Sequence, residues 1–199
     1  DYVFDGTKDS PWLVDDVTAP LGVYGASKLA GERHVRETCR QHLVVRTSWV
    51  FGEHGNNFVR TMVRLAATRD ALRVVADQRG GPTWTGDLAR ELLALARRHL
   101  RGEALPWGTW HYVGQPATTW CEFARVIIAE AHAAGLIART VPVDPITTAD
   151  YPTPARRPAN SVLDMAGTCA ALHISQPDWR DGLRTVLARW RDDGVRFDS

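Results

Sequence analysis

Tyr24 and Lys28 stand four residues apart in P-L-G-V-Y-G-A-S-K-L-A-G-E, residues 20–32. On a helix this spacing puts two side chains one turn apart on the same face. A phenol with an ordinary pKa of about 10 is a poor acid near neutrality, but a neighbouring ammonium stabilises the phenolate and brings that proton nearer working pH. The pair can therefore deliver or remove a proton. Lysine suits the task better than arginine, because a compact point charge can serve both the phenol and a second partner. Only Lys8 and Lys28 are lysine among the 24 basic residues, so an ammonium is kept where arginine is otherwise the rule; chance survival of two lysines is the plainer explanation. Taken alone, Y-x-x-x-K is a weak motif that many structural helices share.

The elements that must position this pair follow from patterning. Val3 and Phe4 read as the end of an extended segment, Asp5-Gly6-Thr7 as a turn, and the stretch to Pro20 as a polar loop. Residues 23–40 are helical, with Tyr24, Lys28 and Glu32 along one face. The β-branched run of 42–52 ends in Gly52 and reads as one buried strand. Residues 57–69 form a helix burying Phe58, Met62, Leu65 and Ala66, and 72–76 a short strand. Residues 77–83 form a loop, 86–100 a helix burying Leu88, Leu92, Leu93 and Ala96, and 109–113 a strand. Thr119 with Glu122 opens a helix that offers Phe123, Ile127, Ala131 and Ala134 to the core. Five prolines break 141–160 into loops and turns, before two last helices near 165–172 and 179–190. Alternating β and α units predict an α/β fold with a mostly parallel sheet and a looser C-terminal lobe.

Composition narrows the partners. Twenty-four basic against 23 acidic residues leave a net charge of +1 in 199 residues, so no global field draws in nucleic acid or anionic lipid, and the expected ligand is a small molecule. No run is long and apolar enough for a membrane span and nothing resembles a signal peptide, which makes the cytoplasm the expected location. Cys39, Cys121 and Cys169 are odd in number and widely spaced, predicting buried, reduced thiols. The seven histidines show no ligand spacing, and no metal site is expected.

The wider context of Tyr24 and Lys28 is Y-G-x-S-K-x-x-G-E, the form seen in extended short-chain dehydrogenases and reductases, which this chain resembles. Five further stretches narrow the resemblance: D-Y-V-F-D-G at 1–6, R-T-S-W-V-F-G at 46–52, G-N-N-F at 55–58, D-Q-x-G-x-P-T at 77–83 and Y-P-T-P-A-x-R-P-x-N-S at 151–161. Together they resemble the dTDP-4-dehydrorhamnose reductases. The fold this implies is the C-terminal part of a Rossmann-like parallel sheet with helices on both faces, plus a smaller α/β substrate-binding lobe. Residues 1–52 would be the remaining C-terminal part of the dinucleotide-binding domain with the catalytic helix. Residues 53–199 would be mainly the substrate lobe, with some elements returning to the sheet.

The resemblance implies hydride transfer from NADPH or NADH to C4 of dTDP-4-dehydro-β-L-rhamnose. Tyr24 and Lys28 would be catalytic and would also hold the cofactor, Tyr24 as proton donor and Lys28 orienting the nicotinamide ribose. Trp49 would contact the sugar nucleotide beyond a strand's C-terminal end, where open α/β sheets bind ligands; core packing is its plainer reading. Asn57 is either a substrate hydrogen-bond donor or an N-cap. Arg157 is a candidate for the diphosphate or for a surface salt bridge. Residues 77–83 are expected to shape the lobe interface. The six tryptophans after Trp49 carry no motif and are expected to pack or lie exposed.

Two departures stand out. Val14 occupies the place of a glutamate usual in the resembled family, leaving Asp15 to supply any such role. No G-x-x-G-x-x-G, whose glycines let the backbone approach a cofactor diphosphate, occurs among residues 1–199. The resemblance thus places roughly a hundred residues of nucleotide-binding sheet before Asp1. It also places a serine or threonine pair there, one hydroxyl supporting Tyr24, with Asp1 itself beside the substrate. The chain alone is then expected to be inactive, and a homodimer is left open. Within the enzyme class the rival is another nucleotide-sugar reductase or epimerase of the same superfamily, against which the R-T-S-W and G-N-N-F pair argues. A non-catalytic reading also stands, because the regulatory β-subunit of methionine adenosyltransferase resembles the same fold; its relatives lose the tryptophan motif that this chain keeps.

Overall fold

The computed structural model describes residues 1–197; the last two residues of the expected second lobe lie outside them. Helix α1 (Val23–Thr38) is followed by β1 (Leu43–Arg46), β2 (Val50–Phe51) and α2 (Phe58–Thr68). Next come β3 (Leu72–Val75), β4 (Arg79–Gly80), β5 (Thr83–Trp84), α3 (Thr85–Leu100), β6 (Gly108–His111), β7 (Thr118–Thr119) and α4 (Trp120–Ala133). Strand β8 (Val143–Ile146), a 3-10 turn at Thr148–Asp150, α5 (Ala166–Leu172) and α6 (Trp179–Asp192) complete the order. The α/β expectation holds: β1–β6, β2–β5 and β3–β8 pair in parallel, and only the short β4–β7 pair is antiparallel.

The caps follow sequence chemistry. Thr119 accepts from the Glu122 N–H at 3.1 Å and Asn57 from the Arg60 N–H at 3.1 Å, each satisfying a donor that the first helical turn leaves without a partner. The main core collects Val59, Met62, Val63 and Ala66 of α2, Phe123, Ile127 and Ala131 of α4, and Leu183, Val186 and Leu187 of α6. A second cluster, Val3, Phe4, Trp12, Leu29, Tyr112, Val113, Leu163 and Met165, lies beneath α1. It joins the chain's first residues to elements far along the sequence.

Several expectations are corrected. Residues 1–4 form a turn, with the Phe4 N–H donating to the Asp1 carbonyl at 3.1 Å; Val3 and Phe4 are apolar because they are buried, and burial does not require an extended strand. The 42–52 run is two strands, broken where Trp49 takes φ +46°. The 77–83 loop contains β4 and the first residue of β5. The 141–160 region contains β8, in which Pro145 stands opposite Val74, an edge position that does not need its missing N–H. The 109–113 strand lies at Gly108–His111. On α2 Phe58 and Leu65 are only partly buried, with Val59 and Val63 taking the inner face. On α3 the inward row is Asp87 and Leu95, while Leu92 and Leu93 are exposed. Cys39 is exposed, whereas Cys121 is buried. None of the six later tryptophans is exposed.

Candidate active site

Helix α1 shows why its motif has these residue types. Gly25, Leu29 and Glu32 are buried while Tyr24 and Lys28 point outward, so the helix is anchored on one face and presents chemistry on the other. A Cβ at Gly25 would overlap the Tyr2 carbonyl oxygen; glycine therefore lets the helix meet the 1–4 turn backbone to backbone. Ser27 donates to the Tyr24 carbonyl at 2.8 Å, a role within the helix. Lys28 Nζ lies 5.2 Å from the centre of the Tyr24 ring, and Tyr24 is 62% exposed. Glu32 leaves the expected common face, because two steps of four residues turn a helix about 80° beyond whole turns. It lies underneath instead.

There Glu32 meets Arg46 of β1 in a bidentate pair, Nε to Oε1 at 2.9 Å and Nη2 to Oε2 at 2.8 Å, with side chains 9% and 5% exposed. Burial alone would raise the Glu32 pKa, but the hydrogen bonds and charge of Arg46, with Arg36 behind it, hold the carboxyl below its usual range. Arg46 also donates to the Val14 carbonyl at 3.0 Å. Val14, at the position of the missing glutamate, thus contributes its backbone, and Asp15 is exposed. Lys8 pairs with Asp16 at 2.6 Å, which accounts for that lysine structurally.

Tyr2 was absent from the sequence candidates, having only its place beside Asp1 to signal it. Its ring meets Tyr24 edge-on at 5.9 Å. Burial raises the Tyr2 phenol above its ordinary pKa, the Arg157 charge opposes this, and Tyr24 adds to it, so Tyr2 is within electrostatic reach of both. The Asp1 backbone nitrogen donates to the Thr47 carbonyl at 2.9 Å, and its Oδ1 accepts from the Tyr2 N–H at 3.0 Å. Asp1 Oδ2 and Thr47 Oγ1 are buried with no hydrogen-bond partner among the described residues.

A cavity of about 1060 Å³ opens between α2, β3, β8 and the irregular 151–157 segment. Phe58, Met62, Leu65 and Trp120 give it apolar and aromatic walls, and Arg156 and Arg157 line it. Neither arginine has an acidic partner among the described residues, which removes the salt-bridge reading of Arg157. Trp49 does not line the cavity. Its ring stacks on Trp120 at 3.6 Å and 10°, and a Cβ at Gly80 would collide with its indole atoms. Trp120 was expected only to pack or lie exposed, yet it carries the stack to the cavity wall; its position just after the Thr119 cap was the available signal. Asn57 serves as N-cap and also donates to the Gly52 carbonyl at 2.8 Å.

The arrangement provides an exposed phenol with an ammonium beside it and a large cavity with stacking walls and two guanidinium groups. The first can protonate an oxygen, and the second suits an anionic ligand with flat or sugar groups. Among the described residues no group of three or more His, Cys, Asp or Glu lies together as metal ligands would, and no helix is long and apolar enough to cross a membrane.

The family model of the RmlD substrate binding domain matches residues 1–191. The chain is 47% identical over 188 residues to dTDP-4-dehydrorhamnose reductase of Aggregatibacter actinomycetemcomitans, covering 94% of this chain and 64% of that protein. It is 44% identical to the enzyme of the same name from Escherichia coli K12, covering 94% of this chain and 62% of that one. The crystal structure of dTDP-4-dehydrorhamnose reductase from Bacillus anthracis, in complex with NADP, superposes with a TM-score of 0.84 at 35% identity, covering 94% of this chain and 63% of that one. The chain therefore spans a little under two thirds of the length of these relatives.

Proposed function

Since the chain belongs to the RmlD substrate binding domain family, we propose that it supplies the proton donor and the substrate cavity of a reductase acting on a nucleotide sugar. The reaction is reduction of the C4 keto group of dTDP-4-dehydro-β-L-rhamnose to the hydroxyl of dTDP-β-L-rhamnose, in keeping with the names of the relatives. In this reading residues 1–52 belong with the dinucleotide-binding part and residues 53–199 mainly with the substrate lobe.

The observation that carries the reading is the Tyr24–Lys28 pair. A well-anchored helix presents both groups outward, and neither the Tyr24 hydroxyl nor Lys28 Nζ has a hydrogen-bond or ion-pair partner among the described residues. Such free donors fit the ribose end of a nicotinamide cofactor, which when bound supplies the hydride as NADPH or NADH. No glycine fingerprint for its diphosphate is present in residues 1–199, so Tyr24 and Lys28 are the residues assigned to it. Tyr24 gives its proton to the oxygen at C4 as negative charge develops there. Lys28 steadies the phenolate left behind. Arg157, with Arg156 beside it, receives the diphosphate at the cavity. Asn57 and Asp1 are assigned to the substrate from outside the cavity wall, Asn57 while capping α2, and Trp49 acts only through its stack on Trp120, which lines the cavity.

The test is a preparation in which this chain is joined to the nucleotide-binding part that the family resemblance places before Asp1, supplied with NADPH and dTDP-4-dehydro-β-L-rhamnose. The expected result is NADPH oxidation with appearance of dTDP-β-L-rhamnose by NMR, and loss of both in Tyr24→Phe. Turnover at an unchanged rate in Tyr24→Phe would overturn the assignment of the proton donor.

A further inference from the structure

The arginine-bearing 151–157 segment has no regular helix or strand and is exposed along its length, yet it walls the cavity. Its two ends hold it there, and three consecutive residues hold both ends. In front, the Asp77 carboxylate accepts from the Thr148 N–H at 3.0 and 2.9 Å and from the Thr148 hydroxyl at 2.7 Å, and Gln78 Nε2 donates to that hydroxyl at 3.0 Å. The hydroxyl gives its one proton to Asp77 and accepts one from Gln78, so its donor and an acceptor site are both used. Thr148 starts the 3-10 turn, which a reciprocal capping box between Thr147 and Asp150 closes. Behind, the Arg79 N–H donates to the Ala159 carbonyl at 2.8 Å, while the Ser161 N–H and hydroxyl donate to the Arg79 carbonyl at 2.8 and 3.1 Å. The same stretch continues to the other end of the site, with Gly80 against the Trp49 ring and the Gly81 carbonyl accepting from Ser48 Oγ at 2.6 Å.

We propose that Asp77 is a positioning residue for phosphate recognition: with Gln78 it locks Thr148, and so holds the 151–157 segment where Arg156 and Arg157 line the cavity. The inference rests on the reading in which Arg157 receives the diphosphate. Asp77 is exposed and does not line the cavity, whereas Gln78 and Thr148 do, and the hydrogen bonds of the Asp77 carboxylate go to Thr148. The rear anchor is mostly backbone. The front anchor depends on side chains, and it is the one a substitution can open.

Calorimetric titration of the 199-residue chain with dTDP and with thymidine separates phosphate-dependent affinity from the rest. Asp77→Ala and Thr148→Val should each weaken dTDP about tenfold and leave thymidine within about twofold, and Thr148→Ser, which restores the hydroxyl, should bind as the unsubstituted chain does. Limited trypsin digestion followed by mass spectrometry gives a ligand-free readout, in which Asp77→Ala should hasten cleavage after Arg156. Equal losses for dTDP and thymidine, or unchanged dTDP binding in Asp77→Ala, would overturn the inference while leaving the diphosphate reading in place. An unsubstituted chain that binds dTDP no better than thymidine would instead overturn the diphosphate reading, and this inference with it.

Discussion

Helix α1 and the 151–157 segment each bring a charged or proton-bearing group within reach of Tyr2, but they are held in different ways. Beneath α1 lies a bidentate Glu32–Arg46 pair whose side chains are almost fully buried, together with an apolar cluster that includes Leu29. The 151–157 segment has no core of its own and depends on hydrogen bonds at its ends, most of the front ones exposed. A proton donor must meet one atom, and geometry errors there cost rate directly. A diphosphate is met by charge-assisted hydrogen bonds from guanidinium groups, so its receptor can stand on a segment without a core as long as the end anchors hold.

Substitutions can break this contrast in order of size. Tyr24→Phe should lower kcat about 10²–10⁴-fold in a preparation that turns over the keto sugar nucleotide, with little change in stability, as followed by NADPH absorbance and thermal unfolding. Glu32→Ala leaves a guanidinium buried without its partner and should destabilise the protein by about 3–5 kcal/mol in urea unfolding. The 151–157 segment, by contrast, can lose Asp77 without a comparable loss of fold.

Acid should act on the α1 side in the same direction. His111 is fully buried, its Nδ1 lying 3.1 Å from the Asp164 carbonyl oxygen. Burial lowers its pKa from 6.5 to about 4; the Asp164 carbonyl opposes the shift and the Arg46 charge adds to it. Because the unfolded chain takes up that proton first, this contribution is complete above about pH 6.5 and is lost as pH falls toward 4, amounting to about 3 kcal/mol. Glu32, whose pKa is depressed, adds a further loss once pH falls below its unfolded value and through its folded one. Urea midpoints at pH 7 and pH 4.5 should show the first loss. At the small end, Asn57→Ala removes one cap and should cost about 1 kcal/mol.

The residues that sequence placed well are those whose role is local. The four-residue spacing of Tyr24 and Lys28, the Thr119 and Asn57 caps, and the Phe123, Ile127, Ala131 face of α4 all follow from short-range geometry. The failures need a partner from elsewhere in the chain. Leu92 and Leu93 fit a helical stripe as well as Leu95 does, and what packs against α3 decides which row turns inward. Trp49 has high strand propensity, yet at φ +46° it sits in a region sparsely used by bulky residues; its stack on Trp120, 71 positions away in sequence (120 − 49), shows what holds it there. Tyr2 and Gln78 stand in the D-Y-V-F-D-G and D-Q-x-G-x-P-T stretches with no chemistry of their own attached, and their importance comes from the packing of Tyr24 and Thr148.

The division of labour between the two regions is tested most directly by measuring dTDP affinity in Tyr24→Phe and Arg157→Ala side by side with the unsubstituted chain. The account predicts that Arg157→Ala weakens dTDP about tenfold or more while Tyr24→Phe leaves it unchanged. Equal affinities in all three proteins, or a loss confined to Tyr24→Phe, would contradict it.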